Sequence, residues 1–262
     1  MNIFVFDIET VPDVEAGRRI YGIDSADDAK VAEIMFAQRR EKTGGSDFLP
    51  HYLHRIAAIS AVLKTSDLFK VWSLGELDSS EADIIKRFFT GIDRYTPTLV
   101  SWNGGGFDLP VLHYRSLLHG IAAPRYWETG DDDREFKWNN YISRYHARHT
   151  DLMDVLAGYQ TRANAPLDAI ATMLGLPGKM GMDGSKVWES YLKGDLAGIR
   201  NYCETDVLNT YLLYQRFRLV QGKLTESAYQ KIGDEVREFL KNSQEKHLLR
   251  FLERWSQQTV AV

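Results

Sequence analysis

The sequence predicts an α/β protein in which helices pack against a mixed β-sheet. Two observations carry this prediction: short apolar segments rich in β-branched and aromatic residues come first, and similar segments then alternate with amphipathic ones. The chain has 262 residues, 44% of them hydrophobic, which is enough for one sizeable core. No Pro/Gly/Ser-rich linker divides it, so we expect a single domain.

Five segments have the composition of strands. The first is IFVFDIE, from residue 3, and the last, 149–156, is a short strand or a strand-to-helix junction. Segments 54–64 and 68–74 flank a Ser-Asp turn and predict a hairpin. Segment 98–104 reads as a strand that runs into a glycine loop. These strands would form the sheet.

Six segments are predicted to be helical from their apolar periodicity and their end signals. Ser79 or Ser80 is a suitable N-cap, Pro166 suits a first turn, and glycines follow several of the periodic stretches. The predicted helices span residues 13–42, 79–92, 107–120, 166–175, 195–219 and 224–255.

Net charge, cysteine content and hydropathy limit how this protein could bind a substrate and where it is expected to be located. The formal net charge is -4, so any anionic substrate must be held by a local basic patch or by metal ions. The one cysteine, Cys203, permits no intrachain disulfide and is expected to be a buried thiol, so a reducing, cytoplasmic location is expected. We find no targeting segment and no apolar run near the ~18 residues of a membrane span, so no membrane association is expected.

Two carboxylates stand at the end of the first strand. Side chains at i and i+2 of a strand point to one face, so Asp7 and Glu9 should project together. Like charges near a core are tolerable when a cation lies between them, and carboxylate oxygens are preferred by Mg²⁺ and Mn²⁺. The alternative is an exposed strand end at which both groups face water.

A third carboxylate, Asp108, follows Asn103 and the glycines 104–106 in the segment SWNGGGFDLPVL. Consecutive glycines let the backbone adopt unusual angles and approach a ligand closely. Asp108 is also well placed as an acidic residue in the first turn of a helix, where the helix dipole favours negative charge. From this segment alone both interpretations stay open.

The third feature is NYCETDVLNTYLLY, a strongly periodic helical segment. Tyr202 and Asp206 are four positions apart in the sequence and therefore share one helical face. A phenol and a carboxylate on one face are suited to a catalytic site, and equally to a structural hydrogen bond.

Taken together, FDIET, NxxxFD and YxxxD, in this order, resemble the three exonuclease motifs of the DEDD superfamily of 3′–5′ exonucleases. Tyr202 marks the tyrosine (DEDDy) variant. More narrowly, the chain resembles stand-alone, predicted polymerase-B-like 3′–5′ exonucleases, on the segments FDIETVPD, WNGGGFDLPVL, LPGKMGMDG and YCETDVLNTY. The resemblance extends from residue 1 to about residue 218. It implies a ribonuclease H-like fold, a five-stranded mixed sheet flanked by helices.

The resemblance implies a metal-dependent exonuclease that releases nucleotides from the 3′ end of single-stranded DNA or RNA, with DNA favoured. Two divalent cations, Mg²⁺ or Mn²⁺, would be held by a four-carboxylate set: Asp7, Glu9, Asp108 and Asp206. Asp7 would bridge the cations, and Tyr202 would orient the attacking water. The alternative function is a catalytically weak nucleic-acid-binding or proofreading accessory module, with a replication or repair protein as partner.

Against the family pattern, residues 12–50 form a helical insertion and residues 220–262 a C-terminal helical extension of the domain. The insertion could cover the active site or serve as a contact surface.

Substrate-binding candidates fall into two groups. By resemblance, Asn103, Gly105 and Phe107 would lie near the terminal nucleotide. Arg144 and Arg148 belong to the basic segment REFKWNNYISRYHARH, whose interleaved aromatic side chains suit a single-strand groove. The alternative for that segment is a surface stretch whose rings are buried in the core.

Overall fold

The computed structural model describes residues 1–258 and contains one five-stranded sheet with strand order β3-β2-β1-β4-β5. The central strand β1 runs antiparallel to β2 and parallel to β4. Strand β3 is antiparallel to β2, and β5 is parallel to β4. The strands are β1 (Ile3–Pro12), β2 (His54–Lys64), β3 (Phe69–Ser73), β4 (Thr98–Ser101) and β5 (His149–Asp151). The predicted fold class, an α/β ribonuclease H-like fold with a five-stranded mixed sheet, is confirmed.

The six predicted helical segments are helical, but 13–42 and 224–255 are each divided into two helices, and the structure contains further short helices. The helices are α1 (Val14–Tyr21), α2 (Asp28–Thr43), α3 (Glu81–Tyr95), α4 (Asp108–His119), α5 (Pro124–Trp127), α6 (Leu152–Leu156), α7 (Leu167–Met173), α8 (Val187–Leu192), α9 (Leu196–Val220), α10 (Glu226–Lys241) and α11 (Lys246–Gln257). In residues 1–258, no helix is long and apolar enough to cross a membrane.

The sequence pattern predicts neither α5 nor α8. They are four and six residues long, so each is too short to display a helical period. Helix α8 follows a glycine-rich loop. Its buried Val187 packs with Val11 of β1, Ala58 of β2 and Ile199 of α9. Tertiary packing therefore determines this helix.

Helices cover both faces of the sheet, and β1 alternates between them. Phe4, Phe6 and Ile8 face the layer formed by α3 and α4, where they join the larger aromatic cluster. Ile3 and Val5 face the opposite layer, which is built around α9. This alternation places residues 7 and 9 beneath α9.

The insertion, residues 12–50, folds as a helical pair on its own small core. Val31 and Met35 of α2 pack there with Leu49 and Leu53. Arg115 of α4 is buried and ion-paired with Asp13, at the start of the insertion, and with Glu81 of α3. The insertion is thus attached to the α3–α4 layer through buried charges.

The C-terminal helices α10 and α11 pack on α9, with buried contacts among Leu212, Val236, Leu240 and Phe251. Residues 259–262 of the predicted C-terminal extension lie outside the described residues.

Candidate active site

Asp7 and Glu9 project from the middle of β1 toward α9, because the strand continues to Pro12 instead of ending at these residues as predicted. Asp7 pairs with Ser60 and Glu9 with Ala58 across the antiparallel ladder, and the ladder is interrupted by a bulge directly after Glu9. One ligand atom each of Asp7, Glu9 and Cys203 lies within 4.8 Å of the others. The two carboxylates are therefore on one face, as the strand period predicts.

Asp108 is the first residue of α4 and is only 3% exposed. Its Oδ1 accepts a hydrogen bond of 3.0 Å from the backbone amide of Ile8, which lies between Asp7 and Glu9. Asp108 therefore places a negative charge in the first turn of α4 and also contacts β1. The alternatives left open by the sequence are thus compatible, and this carboxylate is fixed against the strand that carries the first pair.

The loop before Asp108 is shaped by Asp151, at the end of β5. Its two carboxylate oxygens accept hydrogen bonds from the amides of Asn103 (2.9 Å) and Gly105 (2.8 Å). Asn103 has a left-handed backbone, with φ of 65°. Asp151 is the last residue of the strand-like HTD, and this position was the signal available in the sequence.

Two glycines of this loop lie close to neighbouring side chains. A Cβ atom at Gly104 would overlap the Ser101 side chain, and one at Gly106 would make the Asn103 amide shift. Gly105 and Gly106 are exposed. The run of glycines thus permits the tight turn that leads into α4.

Tyr202 and Asp206 lie one turn apart on α9 and are both buried. Between them, Cys203 is buried with its Sγ 3.5 Å from Asp7 Oδ2. The phenol is under the influence of Asp206, Glu9 and Asp7, whose charges act on its pKa. The side chains that share one face of α9 thus lie beside those that share one face of β1.

Burial of the carboxylates produces an electrostatically unfavourable cluster. Burial raises the pKa of Asp108 to about 7 and that of Asp206 to about 6. The pKa values of Asp7 and Glu9 are raised by burial first and then by the neighbouring carboxylates. Cations bound among these carboxylates would reduce the repulsion between them.

Lys179 supplies a positive charge near this cluster. Its charge lowers the pKa values of Glu9 and Asp206. It belongs to the glycine-rich LPGKMGMDG segment, where its backbone amide donates to Asp168 Oδ1 at 2.6 Å. The sequence resemblance included this segment, but spacing alone gave no sign that its lysine would lie near Glu9, 170 residues upstream.

The donor set fits hard divalent cations. Asp7, Glu9, Asp108 and Asp206 offer carboxylate oxygens, which Mg²⁺ and Mn²⁺ prefer. Burial raises the pKa of the Cys203 thiol, and its soft sulfur suits hard cations less well than carboxylate oxygen does. The four carboxylates are therefore the residues that could hold metal.

The predicted substrate residues occupy different surroundings. Phe107 lies at the start of α4, with its ring centroid 5.1 Å from that of His54. Arg144 is ion-paired with Asp154 at 2.7 Å. Arg148 donates through Nε to the Asn139 carbonyl and lies 4.0 Å over the Phe136 ring. Both arginines already have partners within the fold, and their binding to nucleic acid stays a prediction.

The chain resembles polymerase exonuclease domains. Residues 46–255 match the family model of predicted 3′–5′ exonucleases related to the exonuclease domain of PolB. The matched range contains Asp108, Tyr202 and Asp206, whereas Asp7 and Glu9 precede it.

A DNA polymerase from Pyrococcus glycovorans is 25% identical over 262 residues, covering 95% of this chain and 33% of the polymerase. The family B DNA polymerase structure from Pyrobaculum calidifontis aligns with a TM-score of 0.48 and 16% identity, over 82% of this chain and 24% of that one. The chain thus spans about a third of the first polymerase and about a quarter of the second.

Proposed function

Because the chain belongs to the family of predicted 3′–5′ exonucleases related to the exonuclease domain of PolB, we propose that it hydrolyses phosphodiester bonds at 3′ ends. The substrate would be single-stranded nucleic acid, with DNA favoured. The observation that carries the proposal is the convergence of buried carboxylates from β1, α4 and α9 on one site that includes Tyr202.

The proposed cofactor is a pair of Mg²⁺ or Mn²⁺ ions held by Asp7, Glu9, Asp108 and Asp206. When bound, such a pair activates the attacking water and stabilises charge on the leaving oxygen. The chain contributes rigidity to this arrangement. Asp108 is held by the Ile8 amide, and β1 pairs with β2 at residues 7 and 9, so the backbone that carries these carboxylates is fixed by hydrogen bonds.

Tyr202 is assigned to positioning rather than to proton abstraction. Burial, followed by the charge of Asp206, raises its pKa, so the phenol remains protonated at neutral pH. A neutral phenol can orient the attacking water by a hydrogen bond, one helical turn from Asp206.

A second candidate function is a catalytically weak proofreading or nucleic-acid-binding module of a polymerase complex. The observation in its favour is that the chain spans about a third of a DNA polymerase that it resembles. Activity of the isolated protein distinguishes the two candidates.

The test is digestion of 5′-labelled single-stranded DNA and RNA of one sequence with Mg²⁺, Mn²⁺ or EDTA. We expect a ladder that shortens from the 3′ end, faster on DNA, and no cleavage in EDTA. Asp7→Ala should remove activity from a folded protein, whereas Asp67→Ala, an exposed carboxylate in the β2–β3 turn, should keep it. Full activity of Asp7→Ala would overturn the assignment.

A further inference from the structure

A cavity of about 320 Å³ opens at the end of the sheet where β4 and β5 begin. Thr98 and His149, the first residues of these strands, both line it. Its volume is at the lower end of the ~300–1,000 Å³ range of small-molecule sites. We propose that this cavity, which we call the cationic pocket, binds one nucleoside monophosphate unit, with its phosphate on Arg218 and Lys223 and its base on Tyr145.

The cationic pocket is separate from the candidate active site. In the parallel pairing of β1 with β4, Ile3 is opposite Thr98. Asp7 is four residues further along β1, which corresponds to ~13 Å at about 3.3 Å per residue. The lining residues, all within 1–258, include none of the four carboxylates proposed as metal ligands. A ligand could therefore occupy this pocket without contacting them.

The charge of the cationic pocket favours an anion. Arg218 and Lys223 line it, and its lining, drawn from residues 1–258, contains no aspartate or glutamate. Arg218 donates through Nη1 to Gln215 Oε1 at 3.2 Å, and this neutral amide does not compensate the guanidinium charge. A phosphate would be attracted by both cations, and no carboxylate of the lining would repel it.

Two uncharged side chains of the lining add hydrogen-bond donors. His146 Nδ1 accepts a hydrogen bond of 3.0 Å from the Asn140 amide, which leaves the Nε2–H group to donate. Tyr214 is buried, and Arg218 lies close enough that its charge opposes the rise in the Tyr214 pKa caused by burial. Several donors beside two cations suit the several acceptor oxygens of a phosphate.

Aromatic rings also line the cationic pocket. Tyr145 is 71% exposed, and its ring centroid lies 5.0 Å from that of Tyr159. The Arg144 guanidinium lies 5.1 Å from the Tyr159 centroid and pairs with Asp154 at 2.7 Å. The two tyrosines are thus held by contacts within the fold, and the exposed surface of Tyr145 is available to stack on a base.

Positive charge beside an exposed ring matches a nucleotide better than it matches inorganic phosphate or an uncharged ring. Two sources could supply this unit: a free mononucleotide, or a nucleotide within a bound strand. Both present one base and one phosphate to the pocket. Binding of this kind requires no hydrolysis, so the inference does not depend on the function proposed above.

The test is equilibrium dialysis of radiolabelled adenosine monophosphate (AMP) against the protein in EDTA, with adenosine and ribose phosphate as competitors. EDTA removes cations that could hold a phosphate at the carboxylates. We expect one saturable site per chain that binds AMP at least ~10-fold more tightly than either competitor, because only AMP makes both the charged hydrogen bonds and the stack. Absence of saturable binding would overturn the proposal.

Arg218→Met should weaken AMP binding by ~10-fold or more, and Arg218→Lys should recover part of the loss. The matched control is Arg216→Met, because Arg216 lies on the same helix, over the Tyr229 ring at 4.6 Å, and outside the lining of the cationic pocket. It should leave the affinity unchanged. Equal losses in these two methionine variants, both folded by circular dichroism, would contradict the assignment.

Two variants at exposed positions separate the phosphate from the base without disturbing the helix. Lys223→Met should weaken AMP and ribose phosphate alike. Tyr145→Ala should weaken AMP by about 5-fold or more and leave ribose phosphate unchanged, since only AMP has a base to stack. If neither variant altered AMP binding, the ligand would lie elsewhere and the proposal would be wrong.

Competition with a single-stranded oligonucleotide in Ca²⁺ identifies the source of the nucleotide. Displacement of the oligonucleotide by AMP, lost in Lys223→Met, would assign the pocket to a strand; undisturbed oligonucleotide binding would assign it to free mononucleotide. Hydrolysis of oligonucleotides without AMP binding in EDTA would refute the cationic pocket alone. AMP binding without hydrolysis in Mg²⁺ or Mn²⁺ would refute the exonuclease alone.

Discussion

Tyr202 lies where α9 passes over the carboxylates of β1. Its phenol is affected by the charges of Asp206, Glu9 and Asp7, all of which raise its pKa in addition to the effect of burial. A group in these surroundings stays protonated, so the role proposed for it is a hydrogen bond to the attacking water.

Replacing Tyr202 by Phe should therefore slow hydrolysis without preventing substrate binding. We expect kcat to fall by about 10²–10⁴-fold or less, the general acid–base range, because the ring remains and only the hydroxyl is lost. The measurement is single-turnover hydrolysis together with oligonucleotide affinity in Ca²⁺. An unchanged rate would show that Tyr202 has only a structural role.

At the scale of elements, the attachment of the insertion depends on Arg115 in α4. Its guanidinium pairs with Asp13, which is the N-cap of α1, and with Glu81 at 2.6 Å. Glu81 also accepts a hydrogen bond of 2.7 Å from the Ile56 amide in β2. One buried cluster thus connects the insertion, α3, α4 and the sheet.

Arg115→Met should destabilise the protein by about 3–5 kcal/mol, because it leaves two buried carboxylates without their cation. Urea unfolding measures this change. The control is Arg87→Ala on α3, whose pair with Asp83 is exposed to solvent and should contribute less than about 1 kcal/mol. Equal losses in the two variants would contradict the role assigned to the buried cluster.

The insertion also has a wider consequence. Through Phe36, Phe48 and Leu49 it supplies one wall of the cavity beside Glu9. The predicted insertion therefore borders the candidate active site.

At the scale of the whole molecule, the buried carboxylates couple stability to pH. The pKa of Asp108 is raised to about 7 and that of Asp206 to about 6, from ordinary values near 4. Between about pH 4 and 7 the folded protein therefore binds more protons than the unfolded chain. These groups stabilise the metal-free fold at low pH, and that contribution is lost as the pH rises through the raised pKa values.

Divalent cations should reverse this trend, because they replace the protons on the same carboxylates. At a concentration about 100-fold above Kd, Mn²⁺ should add about 2.7 kcal/mol at pH 8, which raises Tm by roughly 5–10 °C. The increase should be much smaller at pH 5. Thermal unfolding with Mn²⁺ or EDTA at both pH values measures it.

The matched variant for this experiment is Asp206→Asn, which should weaken the response to Mn²⁺ and raise the stability of the metal-free protein at pH 8. An Mn²⁺ effect that is equal at both pH values would contradict proton–metal competition at these carboxylates.

Much of the site was predictable because it rests on local periodicity. The strand period places Asp7 and Glu9 on one face, and the helical period aligns Tyr202 with Asp206. The hairpin of β2 and β3 and the strand-to-helix junction at β5 likewise follow from turn residues and from short β-branched runs. Each of these features depends on neighbours within a few residues along the chain.

The sequence by itself thus determined the α/β class, most elements and the identity of the candidate carboxylates. Only the tertiary structure decided how they meet: Asp108 bonded to the Ile8 amide, Asp151 shaping the loop around Asn103, and Lys179 facing Glu9. Only the tertiary structure revealed the cavity beside Glu9, whose walls come from segments more than 100 residues apart. The physical reason is that periodicity determines which face of a helix or strand a side chain lies on. Which helices and strands come together in one site depends on packing between residues far apart in the sequence.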